Sequence, residues 1–191
     1  MVIKIGVLVL QGDFALHHLI LQKIGVRSIK VTKPLHLNGI EGLVIPGGES
    51  TTMSNLIETF KLREGLIDFS DSFPIMGTCA GAILLGKSDD ETLEKMDYII
   101  DRNYYGRQVD SFEETLDIEN YPNFRGVFIR APAITDIGKT RVIAYCKGNV
   151  VGCIEGKNMA LTFHPELTGD SYFHKMWIDT LLPVSNWISH R

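Results

Sequence analysis

Two short motifs place residues that could perform covalent chemistry. The first is Gly77-Thr78-Cys79-Ala80-Gly81, of the form G-x-C-x-G, set between the apolar run Pro74–Met76 and the helical run Ala82, Ile83, Leu84, Leu85. A thiol nucleophile on a sharp strand-to-helix turn needs small neighbours, because its backbone is strained and other segments approach it closely. Gly77 and Gly81 meet that need. The helix that opens after Cys79 also aims its free N–H groups and the positive end of its dipole at the sulfur. The remaining two of the three cysteines, Cys146 and Cys153, belong to apolar stretches and lack a glycine on both sides, so packing in the core is the simpler reading for them.

A thiol nucleophile needs a base, and the base needs an acceptor that orients it. His164-Pro165-Glu166 is the candidate for both. It follows the strand-like run Met159–Phe163, and Pro165 biases the segment away from helix, so an extended i, i+2 spacing is expected to turn His164 and Glu166 to one side. The other five histidines, His17, His18, His36, His174 and His190, lack a comparable neighbour and read as surface or packing residues. A third feature is Pro46-Gly47-Gly48-Glu49-Ser50-Thr51-Thr52, again between a strand and a helix. By itself it reads as a flexible turn with an N-cap. The Walker lysine and the G-x-G-x-x-G order are both missing, which disfavours a phosphate site. Its exposed amides could instead hold an oxyanion, with Gly48 and Ala80 as donors.

These motifs require elements that bring distant segments together. Lys4–Leu10, Val26–Val31, Leu43–Ile45 and Pro74–Met76 read as short buried strands. The pattern Leu16, Leu19, Ile20, Lys23, Ile24 is helical, and a second helix is expected from Ser50, Thr51 or Thr52 through Phe60 towards Gly65. This alternation predicts a mostly parallel sheet with helices on both faces. Val127–Ile129, Val142–Cys146, Val150–Ile154 and Met159–Phe163 predict antiparallel strands in the C-terminal half, joined by tight turns at 147–149 and 155–158. Phe173, Met176, Trp177 and Leu181 predict a closing helix. The expected fold is therefore α/β: one three-layer, flavodoxin-like domain over residues 1–191, with a central mixed, mostly parallel sheet. Ligands in such sheets collect at the carboxyl ends of strands, where Cys79 and His164 both fall. Residues 87–125 carry the weakest pattern.

Composition narrows the function classes. Hydrophobic residues make up 45% and charged residues 22% of 191 residues, with a net charge of -4. That is the balance of a globular protein, without the basic stripe that nucleic acid requires. Met1–Leu10 is apolar, but Lys4 interrupts it and no small-residue cleavage site follows, so it reads as a strand rather than a signal peptide. No apolar run is long enough for a membrane helix. Three cysteines without CxxC spacing argue against a disulfide framework and against a structural zinc site, and they suit a reducing cytoplasm.

The strings GVLVLQGD, LVIPGGESTTM, PIMGTCAGAILL, NYYGRQ, FRGVFIRAP and LTFHPEL together resemble the class I, triad-type glutamine amidotransferases. Within them they resemble the glutaminase subunits of pyridoxal 5'-phosphate synthases, and the likeness runs over the whole chain. The resemblance implies that Cys79 is the nucleophile, His164 the general base and acid, and Glu166 the group that orients it. It implies that L-glutamine is held by Gly48, Glu49, Ser50, Arg107, Ile129 and Arg130. It further implies no metal or organic cofactor, and a large complex with a (β/α)8 synthase (lyase) subunit that receives the ammonia and orients the amides at Gly47-Gly48. A peptidase, a glyoxalase or a redox-sensing module could use the same cysteine elbow, but only the glutaminase reading accounts for PGGESTTM.

Overall fold

The structure is a computed structural model and describes residues 2–104 and 111–182. Its frame is a seven-stranded sheet. The strands, in chain order, are β1 (Lys4–Leu8), β2 (Arg27–Val31), β3 (Gly42–Ile45), β4 (Ile75–Thr78), β9 (Arg141–Cys146), β10 (Asn149–Glu155) and β11 (Asn158–Leu161). Their spatial order is β2-β1-β3-β4-β11-β10-β9. The run from β2 to β11 is parallel, and β10 and β9 continue it antiparallel. The 2-1-3-4-5 order of the parallel part is that of flavodoxin-like sheets.

Alternation along the strands builds two cores. Ile5, Val7, Val44, Met76, Met159 and Leu161 face one side, where they pack with Leu21 of α1 (Phe14–Lys23) and with Phe173 and Trp177 of α5 (Tyr172–Asp179). Leu8, Leu43, Ile45, Ile75 and Ala160 face the other. There they meet α2 (Ser50–Thr59), α3 (Arg63–Ser72) and α4 (Ala80–Leu85). The central strands β3 and β4 are buried at every position, as expected for parallel strands covered on both faces. The α/β class, the mixed sheet and the C-terminal antiparallel strands are as the sequence predicts.

Three local expectations are corrected. The 50–65 run is two helices, α2 and α3, because Lys61 takes a left-handed conformation (φ 55°) that ends the first. Neither Ser50, Thr51 nor Thr52 caps α2: the Glu49 carboxylate does so, accepting from the Thr51 and Thr52 amides. The segment after His164 is a 3-10 turn, Pro165–Thr168, with Pro165 at its first position rather than in extended chain. In the region of weakest pattern lie β5 (Ile99–Asp101) and β6 (Phe112–Thr115). They pair with β8 (Ala133–Asp136) and β7 (Arg125–Phe128) in two-stranded sheets. Among the described residues no helix is long and apolar enough to cross a membrane.

Candidate active site

The carboxyl ends of four parallel strands converge on one place. The loop after β1 brings Gln11 and Asp13, the loop after β3 brings Gly47 and Gly48, β4 ends at Cys79, and the chain beyond β11 brings His164. Cys79 has φ 48° and ψ −106°, a conformation L-residues rarely adopt, and its backbone N–H donates a hydrogen bond to the Leu161 carbonyl at 2.8 Å. The flanking glycines are sterically required. A Cβ on Gly77 would lie 2.5 Å from the Gly81 carbonyl, and one on Gly81 would lie 2.0 Å from the Ile45 carbonyl oxygen.

His164 and Glu166 meet despite the 3-10 turn between them. His164 Nδ1 is 2.7 Å from Glu166 Oε1, and both side chains are buried. The His164 amide donates to the Val127 carbonyl at 2.8 Å, which locks the turn onto β7. A Cβ on Gly47 would stand 2.3 Å from His164 Cε1 and 3.2 Å from Cys79 Cβ, so the imidazole and the cysteine flank the same glycine. Burial works against the charged ring. Hydrogen bonding to Cys79 and Glu166 outweighs it and pushes the His164 pKa up to about 10. With Nδ1 committed to Glu166, Nε2 is the nitrogen left to serve the cysteine. The set Cys79, His164 and Glu166 has the parts of a nucleophile, a base and an orienting carboxylate.

The other predicted site residues surround this set unevenly. Ile129 lies beside the thiol, its carbonyl 3.8 Å from Cys79 Sγ, and Arg130 follows in a left-handed conformation (φ 45°) with an exposed side chain. Ala80 opens α4 and Gly48 has φ 146°, beside the Gln11 side chain. The side chains of Glu49 and Ser50 are otherwise engaged. Glu49 caps α2, and the Ser50 hydroxyl donates to Asp90 at 2.8 Å. Arg107 lies outside the described residues. Cys146 and Cys153 are buried in β9 and β10, where burial raises both thiol pKa values, that of Cys153 to about 12.

A family model described as the SNO glutamine amidotransferase family matches residues 7–182. The chain belongs to this family. It is 43% identical over 184 residues to a pyridoxal 5'-phosphate synthase subunit PdxT of Thermotoga neapolitana, covering 92% of this chain and 98% of that relative. It is 44% identical over 173 residues to a protein of the same name from Methanocaldococcus jannaschii, covering 88% and 92% respectively. A crystal structure of a glutamine amidotransferase aligns with a TM-score of 0.86 at 38% identity, over 93% of this chain and 98% of that one.

Sequence reasoning did not single out several residues that the structure places around this candidate site. Arg102 contacts Asp90 at 3.0 Å, Glu49 at 3.5 Å and the Thr51 hydroxyl, and so ties β5 to the start of α2. Asp13 offers a carboxylate oxygen within 4.8 Å of ligand atoms of both His164 and Glu166. Of the surface and packing alternatives, His17 and His174 take the second, being fully buried, and His17 Nε2 lies 3.4 Å from Glu166 Oε2. The double-histidine run of α1 shows nothing in sequence that links it to residue 166. Only the packing of α1 on the 3-10 turn makes the connection.

Proposed function

We propose that this chain hydrolyses the side-chain amide of L-glutamine to glutamate and ammonia through a Cys79 glutamyl thioester. The observation that carries this reading is the strained strand-to-helix turn of Cys79 beside the buried His164–Glu166 pair. Membership of a glutamine amidotransferase family supplies the substrate class.

In this scheme the Cys79 sulfur attacks the carboxamide carbon, and the carbonyl electrons move onto oxygen. The backbone amides of Gly48 and Ala80 hold that oxyanion. The His164 imidazolium gives its Nε2 proton to the amide nitrogen, the C–N bond breaks, and ammonia leaves. His164, now neutral, takes a proton from water. The water oxygen attacks the thioester, the C–S bond breaks, and glutamate departs. Glu166 accepts from His164 Nδ1 throughout and keeps the ring in one tautomer.

Arg107 and Arg130 are assigned to glutamine's carboxylate, and Ile129 and the Gly48–Ser50 segment to its remaining contacts. Because the Glu49 and Ser50 side chains are engaged elsewhere, their share falls to the backbone. The relatives named as pyridoxal 5'-phosphate synthase subunits support delivery of the ammonia to a synthase subunit in a hetero-oligomer. Within it, residues 1–191 would act as one glutaminase domain without a cofactor of their own.

The direct test is glutamate release from glutamine by Cys79→Ala, measured with the candidate synthase subunit present. No release above background is expected. Release at the wild-type rate would remove Cys79 from the mechanism.

A further inference from the structure

Behind the site, Glu166 is one link in a longer buried chain of polar groups. Its Oε1 serves His164, but Oε2 has no hydrogen-bond partner although the residue is only 2% exposed. A buried carboxylate oxygen left in that condition is costly, since its desolvation is uncompensated. His17 Nε2 stands 3.4 Å from it outside hydrogen-bond geometry, and the same nitrogen is hydrogen-bonded to the Thr78 hydroxyl at 3.3 Å. On its far side, His17 Nδ1 meets His174 Nε2 at 2.8 Å. Both histidines are fully buried.

The His17–Glu166 contact is not an ion pair. Burial first, then the nearby His174, His164 and His18, holds the His17 pKa well below its usual value. Burial does the same to His174, lowering it to about 4. Both rings are therefore neutral, and the question is where each carries its single proton.

We propose that His17 is a positioning residue for the reaction: its neutral Nε2–H tautomer donates to Glu166 Oε2 and so fixes the carboxylate that orients His164. The 3.4 Å contact is both long and misaligned for such a bond, and catalytic hydrogen bonds are often so before the working complex tightens them. The neighbouring ring supports the same tautomer. With Nε2 protonated, His17 accepts at Nδ1 from His174 Nε2–H, and His174 Nδ1, which has no partner, is a bare acceptor. The opposite tautomer would turn a lone pair of His17 towards the carboxylate and would need the Thr78 hydroxyl to donate to it. It would also put the His174 proton on the partnerless Nδ1, and an orphaned buried N–H is rarer than an unfilled acceptor. The chain thus runs from Cys79 through His164 and Glu166 to His17 and His174, with charge confined to its outer part.

The kinetic part of this inference rests on the glutaminase reading, whereas its tautomer does not. Nitrogen chemical shifts of 15N-histidine in the full-length chain are expected to show His17 protonated at Nε2 and bare at Nδ1. Protonation at Nδ1 would overturn the proposal whether or not the chain hydrolyses glutamine. With the synthase subunit present, His17→Leu is expected to lower kcat for glutamine about 10- to 100-fold with KM held within about twofold, the scale of a misplaced catalytic group. His17→Gln, whose amide can donate from the place of Nε2, is expected to recover most of that loss. A folded His17→Leu protein with wild-type kcat, or a folded His17→Gln protein as impaired as the leucine variant, would refute the donor role. If His17→Leu fails to fold, the tautomer and His17→Gln decide. A wild-type complex that releases no glutamate would instead count against the glutaminase reading alone.

Discussion

His164 sits between two groups that favour its charged form, Cys79 on one side and Glu166 on the other. The carboxylate has an electrostatic task and a geometric one, and a neutral amide of the same shape separates them. Glu166→Gln is expected to keep the fold but lower kcat about 10²- to 10⁴-fold, because the amide presents an N–H to Nδ1 or favours the wrong tautomer. Steady-state kinetics beside a melting curve would check this. A kcat within a few-fold of wild type would show that His164 needs no orienting charge. Asp13, though close to the pair, is exposed, so solvent screens its influence.

At the scale of elements, glycines of similar appearance have different jobs. Gly81 is where α4 touches the backbone of β3. An alanine there would place its Cβ 2.0 Å from the Ile45 carbonyl oxygen, which belongs to a central strand and cannot yield. Gly81→Ala is expected to destabilise the protein by about 1–3 kcal/mol or more, read as a lowered denaturation midpoint. Gly47 instead borders the site. In Gly47→Ala the new methyl would meet the edge of the His164 ring at 2.3 Å, so the ring must turn. There activity is expected to fall about 10²-fold while the melting temperature changes less than in Gly81→Ala. Equal stability losses in the two variants would show that Gly47 is merely structural. The helix boundary at Lys61 was illegible for a related reason. Its left-handed conformation normally announces itself as Gly or Asn, and here a lysine adopts it.

For the molecule as a whole, the buried histidines pull the pH dependence of stability in opposite directions. His164 has a folded-state pKa of about 10, above its unfolded value near 6.5. Its contribution is therefore complete below about pH 6.5 and is lost as pH rises towards 10. His17 and His174 are held neutral. Their contribution is complete above about pH 6.5 and is lost as pH falls, for His174 down to about 4. Urea unfolding across pH 4 to 10 is expected to show stability declining from near pH 6.5 on both sides. His174→Leu should flatten the acid limb and leave the alkaline limb in place. An unchanged acid limb would mean that other groups control acid unfolding.

The cysteine and histidine motifs of the candidate site and the strand-helix alternation could be read from the chain alone, because each has a local cause. Small residues beside Cys79 reflect contacts its own turn demands, a proline after His164 restricts its own neighbour, and short continuous apolar runs record strands buried on both faces. Only the tertiary structure decided what stands behind and around those residues. That His17 and His174 back Glu166 and that Arg102 ties β5 to the start of α2 depend on contacts between segments tens of residues apart or more. Nothing in the local spacing of such residues records them. A histidine on a helix looks the same in sequence whether it faces water or a buried carboxylate, and the difference in its chemistry comes from burial and from the partner that packing supplies.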